Sequence, residues 1–290
     1  MTVRSNLGRQ ALRAAIRARR QAGVPEDRPL CVFNFAEEHH DVEVWFVDAP
    51  SLEGMYQKDS PGRIFVSSHR TPGRQAMTCA HELGHHIFGH GTQVDEYVEN
   101  SSLSHNLSPD ERLVRLFASF LLMPEPAIQR TFTELGASLN SPEPHEVLIA
   151  SHYLGTSYEA LVRHMHLSLD LIDESTGSRL LKTTRKAIVT NLVGKFPESE
   201  LVVAGYHWES RAIDLSVGDC CLLPKGTDVE GGKITQRQQL PIGDLYTAQH
   251  PGTTRVEHTD SGWAAYVRIS RARFSGRNIY RYMEDPDECG

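Results

Sequence analysis

Residues 81–85 read His81-Glu82-Leu83-Gly84-His85, an H-E-x-x-H motif. Histidines four residues apart lie on one face of a helix, so two imidazole nitrogens can reach one metal ion. The glutamate between them lies beside that ion without having to bind it, and it can accept a proton from water as general base. The motif predicts a metal-dependent hydrolase if its surroundings supply a helix and a third ligand.

The flanking residues predict the helix that the motif needs. Thr71 is a suitable N-cap, Pro72 suits the first helical position, and Gly89 suits the position after the C-cap. His81 and His85 lie off the apolar stripe of this helix, which consists of Ala76, Cys79, Ala80, Leu83 and Ile87. A structural histidine would more often lie within the stripe, and a solvated helix face is the alternative explanation of the pair.

A catalytic zinc site usually has three protein ligands and a water, so a third ligand is expected. The metzincin pattern would place a glycine at position 88 and a histidine at position 91, where this chain has Phe88 and Gly91. His86 and His90 project from other sides of the helix and are poor candidates. A carboxylate from a later helix remains, and Glu111 follows at a distance that allows a loop and an antiparallel return.

Glu111 also has a structural explanation. Ser108 followed three residues later by Glu111 is a capping box, with Pro109 at the first helical position. In that interpretation the Glu111 side chain returns to the backbone of Ser108 and binds no metal. The spacing alone does not decide between the two roles, and Asp110 is the alternative ligand.

The helix that begins after Ser108 carries a family resemblance. Residues 116–124, LFASFLLMP, resemble the F-A-A-x-L-L-M-P segment of ImmA/IrrE metallopeptidases. In that family the third ligand is a glutamate six residues before the position of Phe117, which implies Glu111 in this chain. The resemblance covers about residues 5–170 and includes Gly54-Met55-Tyr56, the strand-like segment 63–67 and Arg74-Gln75.

The resemblance implies an α/β (α+β) fold, and the chain is expected to divide near residue 175, where the helical pattern gives way to a turn-rich link. Residues 1–175 would form a mostly helical, zincin-like metallopeptidase domain with a small sheet and a helix-turn-helix-like segment at 126–170. Residues 180–290 would form a β-rich, GAF-like sensory domain, although the residue pattern alone supports only a β-rich α/β domain. The strand candidates are 187–193, 201–207, 220–223, 245–248 and 263–270.

Part of the helix-turn-helix-like segment could contact DNA. Residues 147–163 have the pattern of two helices joined at a glycine. A major-groove reader needs several basic or amide side chains on its second helix, and this one offers mainly Arg163 and His164. We therefore favour a packing role for this segment.

An arginine-rich segment near the end of the chain is a candidate nucleic-acid contact. Arginines bind phosphates and aromatic rings stack on bases in proteins that bind single-stranded DNA. The candidate contacts are Arg268, Arg271, Arg273 and Arg277, which are followed by Arg281 and interleaved with Phe274, Tyr280 and Tyr282. The alternative is an ordinary exposed strand and turn. The resemblance favours the first interpretation, because family members in defence and damage responses are thought to sense damaged or single-stranded DNA.

The composition is typical of a cytoplasmic bacterial protein. The formal net charge is −7, the hydrophobic content is 39%, and no apolar run is long enough to span a membrane. Residues 1–23 are rich in arginine and lack acidic residues, as a transit peptide would, but their apolar face predicts the first helix of the domain.

The five cysteines form no C-x-x-C pair and no disulfide framework, which favours a reducing compartment. Cys79 lies on the apolar stripe and is expected in the core. Cys31, Cys220, Cys221 or Cys289 could instead reach the metal as an inhibitory thiolate.

Together with the resemblance, these residues predict a metalloendopeptidase. It would cleave a helix-turn-helix repressor, with single-stranded DNA as a candidate activator, and so release stress, mobile-element or antiviral defence genes. His81, His85 and Glu111 would hold Zn²⁺, with Mn²⁺ as the alternative ion. Glu82 would be the general base. Tyr56 is a candidate second donor to the substrate, and the alternative that we favour is that it packs in the core or in the wall of the site.

Two further expectations follow. The strand around residues 64–67 would pair with an extended substrate segment and fix its register. The alternative function is a non-catalytic regulator that binds a repressor or nucleic acid. The presence of Glu82 argues against this alternative, because binding alone does not need a base.

Overall fold

The computed structural model describes residues 5–96, 107–195, 197, 199–208 and 211–284. The first of these ranges contains helices α1 (Asn6–Gln21), α2 (Val32–His39) and α3 (Pro72–Ile87), and strands β1 (Val42–Val47), β2 (Leu52–Gln57), β3 (Gly62–Ser67) and β4 (Gln93–Glu96). The Ser5 side chain caps α1, and Ala11 and Ala15 are buried on its inner face. Residues 6–21 therefore form the first helix, as predicted.

The first sheet has five strands in the order β13-β1-β3-β2-β4, in which β13 (Gly276–Arg277) comes from near the end of the chain. β1 is parallel to β3, and β2 is antiparallel to both β3 and β4. β3 is therefore an internal strand whose two edges are both hydrogen-bonded. The prediction that residues 64–67 pair with a substrate is wrong for this reason, and β4 is the outer strand on that side among the described residues.

Six more helices follow the sheet in the described part of the chain. They are α4 (Pro109–Leu122), α5 (Glu125–Glu134), α6 (Pro144–Leu154), α7 (Tyr158–Arg163), α8 (Glu174–Lys182) and α9 (Arg185–Val193), with a π-helical turn at His164–Ser168. α4 packs against both α1 and α3. No helix in the described ranges is both long enough and apolar enough to cross a membrane.

The two helices predicted within residues 147–163 correspond to α6 and α7, joined at Gly155, which has φ 72°. His164 is buried, and its Nε2 lies 3.1 Å from the carbonyl oxygen of Met123. Arg163 forms an ion pair with Glu159 on its own helix. These contacts agree with the packing role that we favoured.

The C-terminal strands form two four-stranded sheets. The first has the order β5 (Leu201–Val203), β7 (Cys220–Leu223), β10 (Gly243–Ala248), β9 (Ile234–Leu240), and the second the order β6 (Ile213–Ser216), β12 (Trp263–Ser270), β11 (Gly252–His258), β8 (Asp228–Val229). The molecule thus combines helices and sheets, and its last part is rich in strands, as predicted. The GAF-like assignment stays a prediction.

One strand prediction is wrong. Residues 187–193 lie in helix α9, whose N-cap Thr184 accepts a hydrogen bond from the Ala187 N–H. Ile188, Val189 and Val193 are buried at helical spacing. The short run of β-branched residues resembles a strand in the sequence, but the cap and the packing select the helix.

The helices and the C-terminal strands share a core. One hydrophobic cluster continues from the N-terminal helices and the first sheet into Leu201, Val203, Cys220, Leu222 and Leu245. A second cluster fills the space between the two C-terminal sheets and includes Tyr153 from α6. The proposed division between residues 175 and 180 falls within α8, and it stays a prediction.

Candidate metal centre

Helix α3 brings His81 and His85 to the same point. Both residues are buried, and their Nε2 atoms lie 3.2 Å apart. They project from one face of the helix, as their four-residue spacing requires. The helix packs against β2 and β3 on one side and α4 on the other, so the two rings lie between the sheet and a neighbouring helix.

Glu111, in the first turn of α4, completes the cluster. Its carboxylate oxygens lie 3.3 Å from His81 Nε2 and 3.4 Å from His85 Nε2. The Ser108 hydroxyl accepts a hydrogen bond from the Glu111 backbone N–H at 3.1 Å, so the cap engages the backbone while the side chain faces the histidines. Asp110, the alternative ligand, is exposed to solvent and lies outside the cluster.

The spacing of these donor atoms suits one metal ion. Donor atoms bound to a tetrahedral zinc ion at about 2.0–2.1 Å lie roughly 3.3 Å apart. The measured separations among His81, His85 and Glu111 are 3.2, 3.3 and 3.4 Å. Two imidazoles and a carboxylate are ligands that both zinc and manganese accept, so the donor set fits a divalent cation without fixing which one.

Gly84 explains how α4 comes so close to α3. A Cβ atom at this position would lie 3.0 Å from Val114 Cβ and 3.1 Å from Phe117 Cδ1. The absence of a side chain at Gly84 therefore lets the two helices pack closely enough for Glu111 to reach the histidines. The motif thus contributes two ligands and the contact surface for the helix that carries the third.

Glu82 is a buried carboxylate beside this cluster. It is 0% exposed, and both of its carboxylate oxygens lack a hydrogen-bond partner among the described residues. Burial raises the pKa of Glu82 to about 8, with further contributions from the charges of Asp95 and Glu111, against the opposing effect of His81. An orphaned buried carboxylate is costly, and a metal ion with its water would supply the missing partners.

Strand β2 approaches Glu82 through Gly54. A Cβ atom at Gly54 would lie 2.7 Å from Glu82 Oε1 and 2.4 Å from Thr78 Cγ2. Only glycine fits this position without a shift of the helix or the strand. The backbone of β2 therefore forms one wall of the Glu82 site.

Asp95 is a member of the site that the sequence analysis missed. Its Oδ2 lies 3.2 Å from His81 Nε2, and it forms a second group with His81 and Glu82. Burial lowers the pKa of His81, but its hydrogen bonds to Asp95 and Glu111 outweigh burial and raise that pKa to about 9. Residues 93–96 contain a single apolar residue, so the sequence gives little sign of a strand there. The Asp95 carboxylate reaches the site because β4 pairs with β2, with Asp95 opposite Gly54.

These residues fall in a stretch with known relatives. The family model of the IrrE N-terminal-like domain, Peptidase_M78, matches residues 37–166, a little under half of the chain. The matched residues are similar to a Peptidase_M78 domain. The match confirms the resemblance to ImmA/IrrE metallopeptidases and includes His81, Glu82, His85, Asp95 and Glu111.

No curated protein matches the chain. A solved structure described as a Mycobacterium tuberculosis transcriptional regulator is similar over 54% of this chain, with 14% sequence identity and a TM-score of 0.35. The match covers 46% of that protein, so the chain spans less than half of its length.

The Tyr56 hydroxyl contacts His86, which is not one of the clustered residues. The Tyr56 side chain is 3% exposed, and its hydroxyl lies 2.9 Å from His86 Nδ1. His86 follows His85 in sequence but points to another side of α3, toward the sheet. The candidate donor role of Tyr56 is therefore not supported, because its hydroxyl is already engaged within the core.

None of the four cysteines in the described ranges belongs to the metal cluster. Cys79 is 0% exposed, as predicted from its place on the apolar stripe. Cys220 and Cys221 are buried in β7, and Cys31 precedes α2. Neither of the metal-competent groups found among the described residues contains a cysteine. The possible inhibitory thiolate has no support at Cys31, Cys220 or Cys221, and Cys289 lies outside the described residues.

Two of the arginines expected to bind nucleic acid have partners within the fold. The Arg268 guanidinium donates to both carboxylate oxygens of Asp214, at 2.7 and 2.9 Å, and lies over the Tyr282 ring. Arg277 forms an ion pair with Glu43 at 3.4 Å. The prediction that Arg268 and Arg277 contact DNA is not supported, because phosphates would have to displace these carboxylates.

The segment that follows, residues 274–282, forms a C-terminal strap across the first sheet. Its strand β13 pairs antiparallel with β1. Asn278 donates to Glu37 at 2.9 Å, and the buried Arg281 guanidinium lies 4.3 Å from the Phe46 ring centroid. These contacts therefore hold residues 274–282 against the first sheet and helix α2. Arg271 and Arg273, just before the strap, are exposed.

Proposed function

We propose that this protein is a metal-dependent endopeptidase that acts in the cytoplasm and cleaves a helix-turn-helix transcriptional repressor. The observation that carries the proposal is the cluster of His81, His85 and Glu111, with metal-compatible spacing, beside the orphaned carboxylate of Glu82. The Peptidase_M78 match over the same residues supports hydrolysis of a peptide bond as the reaction.

The clustered residues have two roles, metal binding and proton transfer. His81, His85 and Glu111 would hold Zn²⁺ or Mn²⁺, and the bound ion would polarise the scissile carbonyl and make water more acidic. Glu82 accepts the proton of the attacking water on a carboxylate oxygen and returns it to the departing amine. Its burial excludes bulk water from this transfer, and Gly54 keeps its carboxylate against the β2 wall.

The outer strand β4 is the proposed docking edge for the substrate. It borders the site through Asp95, and its far side has no neighbouring strand in the described part of the chain. An extended peptide could add to this edge by backbone hydrogen bonds, which would fix its register across the cluster. β4 takes the role that the sequence analysis assigned to residues 64–67.

The identity of the substrate rests on the resemblance to ImmA/IrrE metallopeptidases. In family terms, cleavage of a repressor would release stress, mobile-element or defence genes. A GAF-like sensory role for residues 180–290 would place the activating signal in the C-terminal sheets. Single-stranded DNA is not part of the proposal, because two of its four candidate arginines are engaged within the fold.

A cleavage assay tests the proposal. The chain, loaded with Zn²⁺ or with Mn²⁺, is incubated with each helix-turn-helix protein that is encoded beside its gene, and the fragments are identified by mass spectrometry. We expect one or a few defined cuts, and a Glu82→Gln variant that retains metal but loses nearly all cleavage, because glutamine cannot accept the proton. Full cleavage by Glu82→Gln would contradict the assigned base. Tight binding of the repressor without cleavage by the parent protein would support the non-catalytic regulator instead.

A further inference from the structure

Helix α3 ends in a backbone reversal that returns His90 to the last turn. Gly89 has φ +74°, a conformation that favours glycine. An added Cβ there would meet nothing within 4 Å, so the backbone conformation, and not close packing, requires glycine. The Gly89 N–H donates to the His86 carbonyl at 3.1 Å, and the His90 N–H donates to the His85 carbonyl at 2.9 Å. This pair of bonds is the Schellman motif, which brings the residue after the glycine back against the helix.

The His90 ring contacts His85 as a result of this reversal. His90 Nδ1 lies 2.9 Å from His85 Nδ1, while the Nε2 atom of His85 faces His81 and Glu111. Phe88 stacks on the outer face of His90, with the ring centroids 6.0 Å apart and the planes inclined by 28°. Both nitrogens of His85 are therefore engaged, one toward the metal cluster and the other toward His90.

This arrangement defines where the protons lie. A histidine binds metal through an unprotonated nitrogen, so a metal at His85 Nε2 requires the proton on Nδ1. That N–H can donate to His90 Nδ1 only if His90 carries its own proton on Nε2. Metal-binding histidines generally donate their second N–H to an acceptor that sets tautomer and ring orientation. Here the acceptor is another imidazole, delivered by the end of the same helix.

We propose that His90 is a positioning residue, which holds the His85 ring in the orientation and tautomer that present Nε2 to the metal. This inference rests on the proposed metal site. It assigns a role to a histidine that the spacing of the motif excludes as a ligand, and it makes Gly89 part of the site through the backbone.

Zinc affinity of the full chain, measured by competition with a chromophoric chelator, tests this inference. The informative variants are His90→Phe, which keeps a ring against Phe88 but removes the acceptor, and His90→Asn, whose side-chain oxygen can replace Nδ1. We expect His90→Phe to bind Zn²⁺ about 10–100-fold more weakly, and His90→Asn to recover most of the loss. His86→Asn is the matched control, since it alters the neighbouring histidine, which contacts Tyr56, and should leave zinc affinity unchanged.

The outcomes separate this inference from the proposed function. Parent-like affinity in His90→Phe, or equal loss in His90→Asn and His90→Phe, would overturn the positioning role while leaving the metal site intact. Absence of zinc binding by the parent chain would overturn both. A second readout is ¹⁵N NMR of the zinc-loaded protein, where we expect His85 protonated on Nδ1 and His90 on Nε2. The opposite tautomer of His90 would contradict the proposal.

Discussion

At the scale of single residues, two carboxylates converge on one histidine. His81 Nε2 lies 3.2 Å from Asp95 Oδ2 and 3.3 Å from Glu111 Oε2, although the two acids come from different elements on either side of the helix. A cation is favoured where two carboxylates meet in a partly buried site, because each is an attractive charge at short range. Asp95 is therefore expected to contribute to metal affinity in addition to the three predicted ligands.

Replacement of Asp95 by Asn measures this contribution. The variant removes a negative charge and keeps the shape of the side chain, so we expect zinc affinity to fall about tenfold, because the ion loses one attractive charge at short range. Chelator competition on the full chain provides the measurement, and Asp110→Asn, on the exposed side of α4, is the control. Unchanged or tighter binding in Asp95→Asn would show that Asp95 only competes with the metal for His81.

The residues that could be predicted from the sequence are those linked by local geometry. The helical period places His81 and His85 on one face, and it leaves Glu82 beside them. Glu111 needed the family resemblance, because its spacing equally suits a capping box. Asp95 and His90 could not be predicted, since one depends on strand pairing and the other on a backbone reversal after the helix.

At the scale of elements, the arginine-rich segment shows how a sequence pattern can have a structural cause. Arg268 and Arg281 both lie over the Tyr282 ring of the same segment. The strap also pairs β13 with β1. A solvent-exposed DNA-binding surface would have the same composition. The difference lies in partners distant in sequence, Asp214 for Arg268 and Glu43 for Arg277, which no local pattern identifies.

The Arg268–Asp214 pair gives a stability test of this account. Burial favours protonated Asp214, but attraction to Arg268 and their hydrogen bonds outweigh it and lower the pKa of Asp214, so its carboxylate is charged in the fold. Arg268→Ala leaves that charge without its main partner and should destabilise the protein by about 3 kcal/mol in urea unfolding. Arg271→Ala, at an exposed position, should cost below about 1 kcal/mol. Equal stability of the two variants would contradict the structural role of Arg268.

At the scale of the whole molecule, the helical domain and the C-terminal sheets share a core, and several histidines are buried within it. His164 is 3% exposed, and burial lowers its pKa to about 4, partly offset by the hydrogen bond to Met123. The fold class and the β-rich C-terminal half were predictable from the distribution of strand-like segments. The joint core was not, because it depends on which faces of separate elements meet.

The buried His164 predicts loss of stability in mild acid. The unfolded chain takes up a proton near pH 6.5, whereas folded His164 stays neutral until about pH 4. The contribution of neutral His164 to the unfolding free energy is fully present above pH 6.5 and is lost as the pH falls toward 4. For this one group, about 2 kcal/mol should be lost between pH 7.5 and pH 5.

The variant His164→Gln tests that expectation, because glutamine does not titrate but can still donate to the Met123 carbonyl. We expect its unfolding free energy in urea to fall less than that of the parent chain over the same pH interval. Identical pH slopes for the two proteins would show that His164 does not contribute to acid sensitivity.

The central claim, that one divalent ion binds at His81, His85 and Glu111, is tested most directly by anomalous diffraction. Crystals of the Glu82→Gln variant grown with Zn²⁺ would be measured on both sides of the zinc absorption edge. We predict one strong anomalous peak at about 2.0–2.2 Å from the two Nε2 atoms and a Glu111 carboxylate oxygen. A peak elsewhere, or a Glu111 side chain folded back onto the backbone of Ser108, would contradict the account.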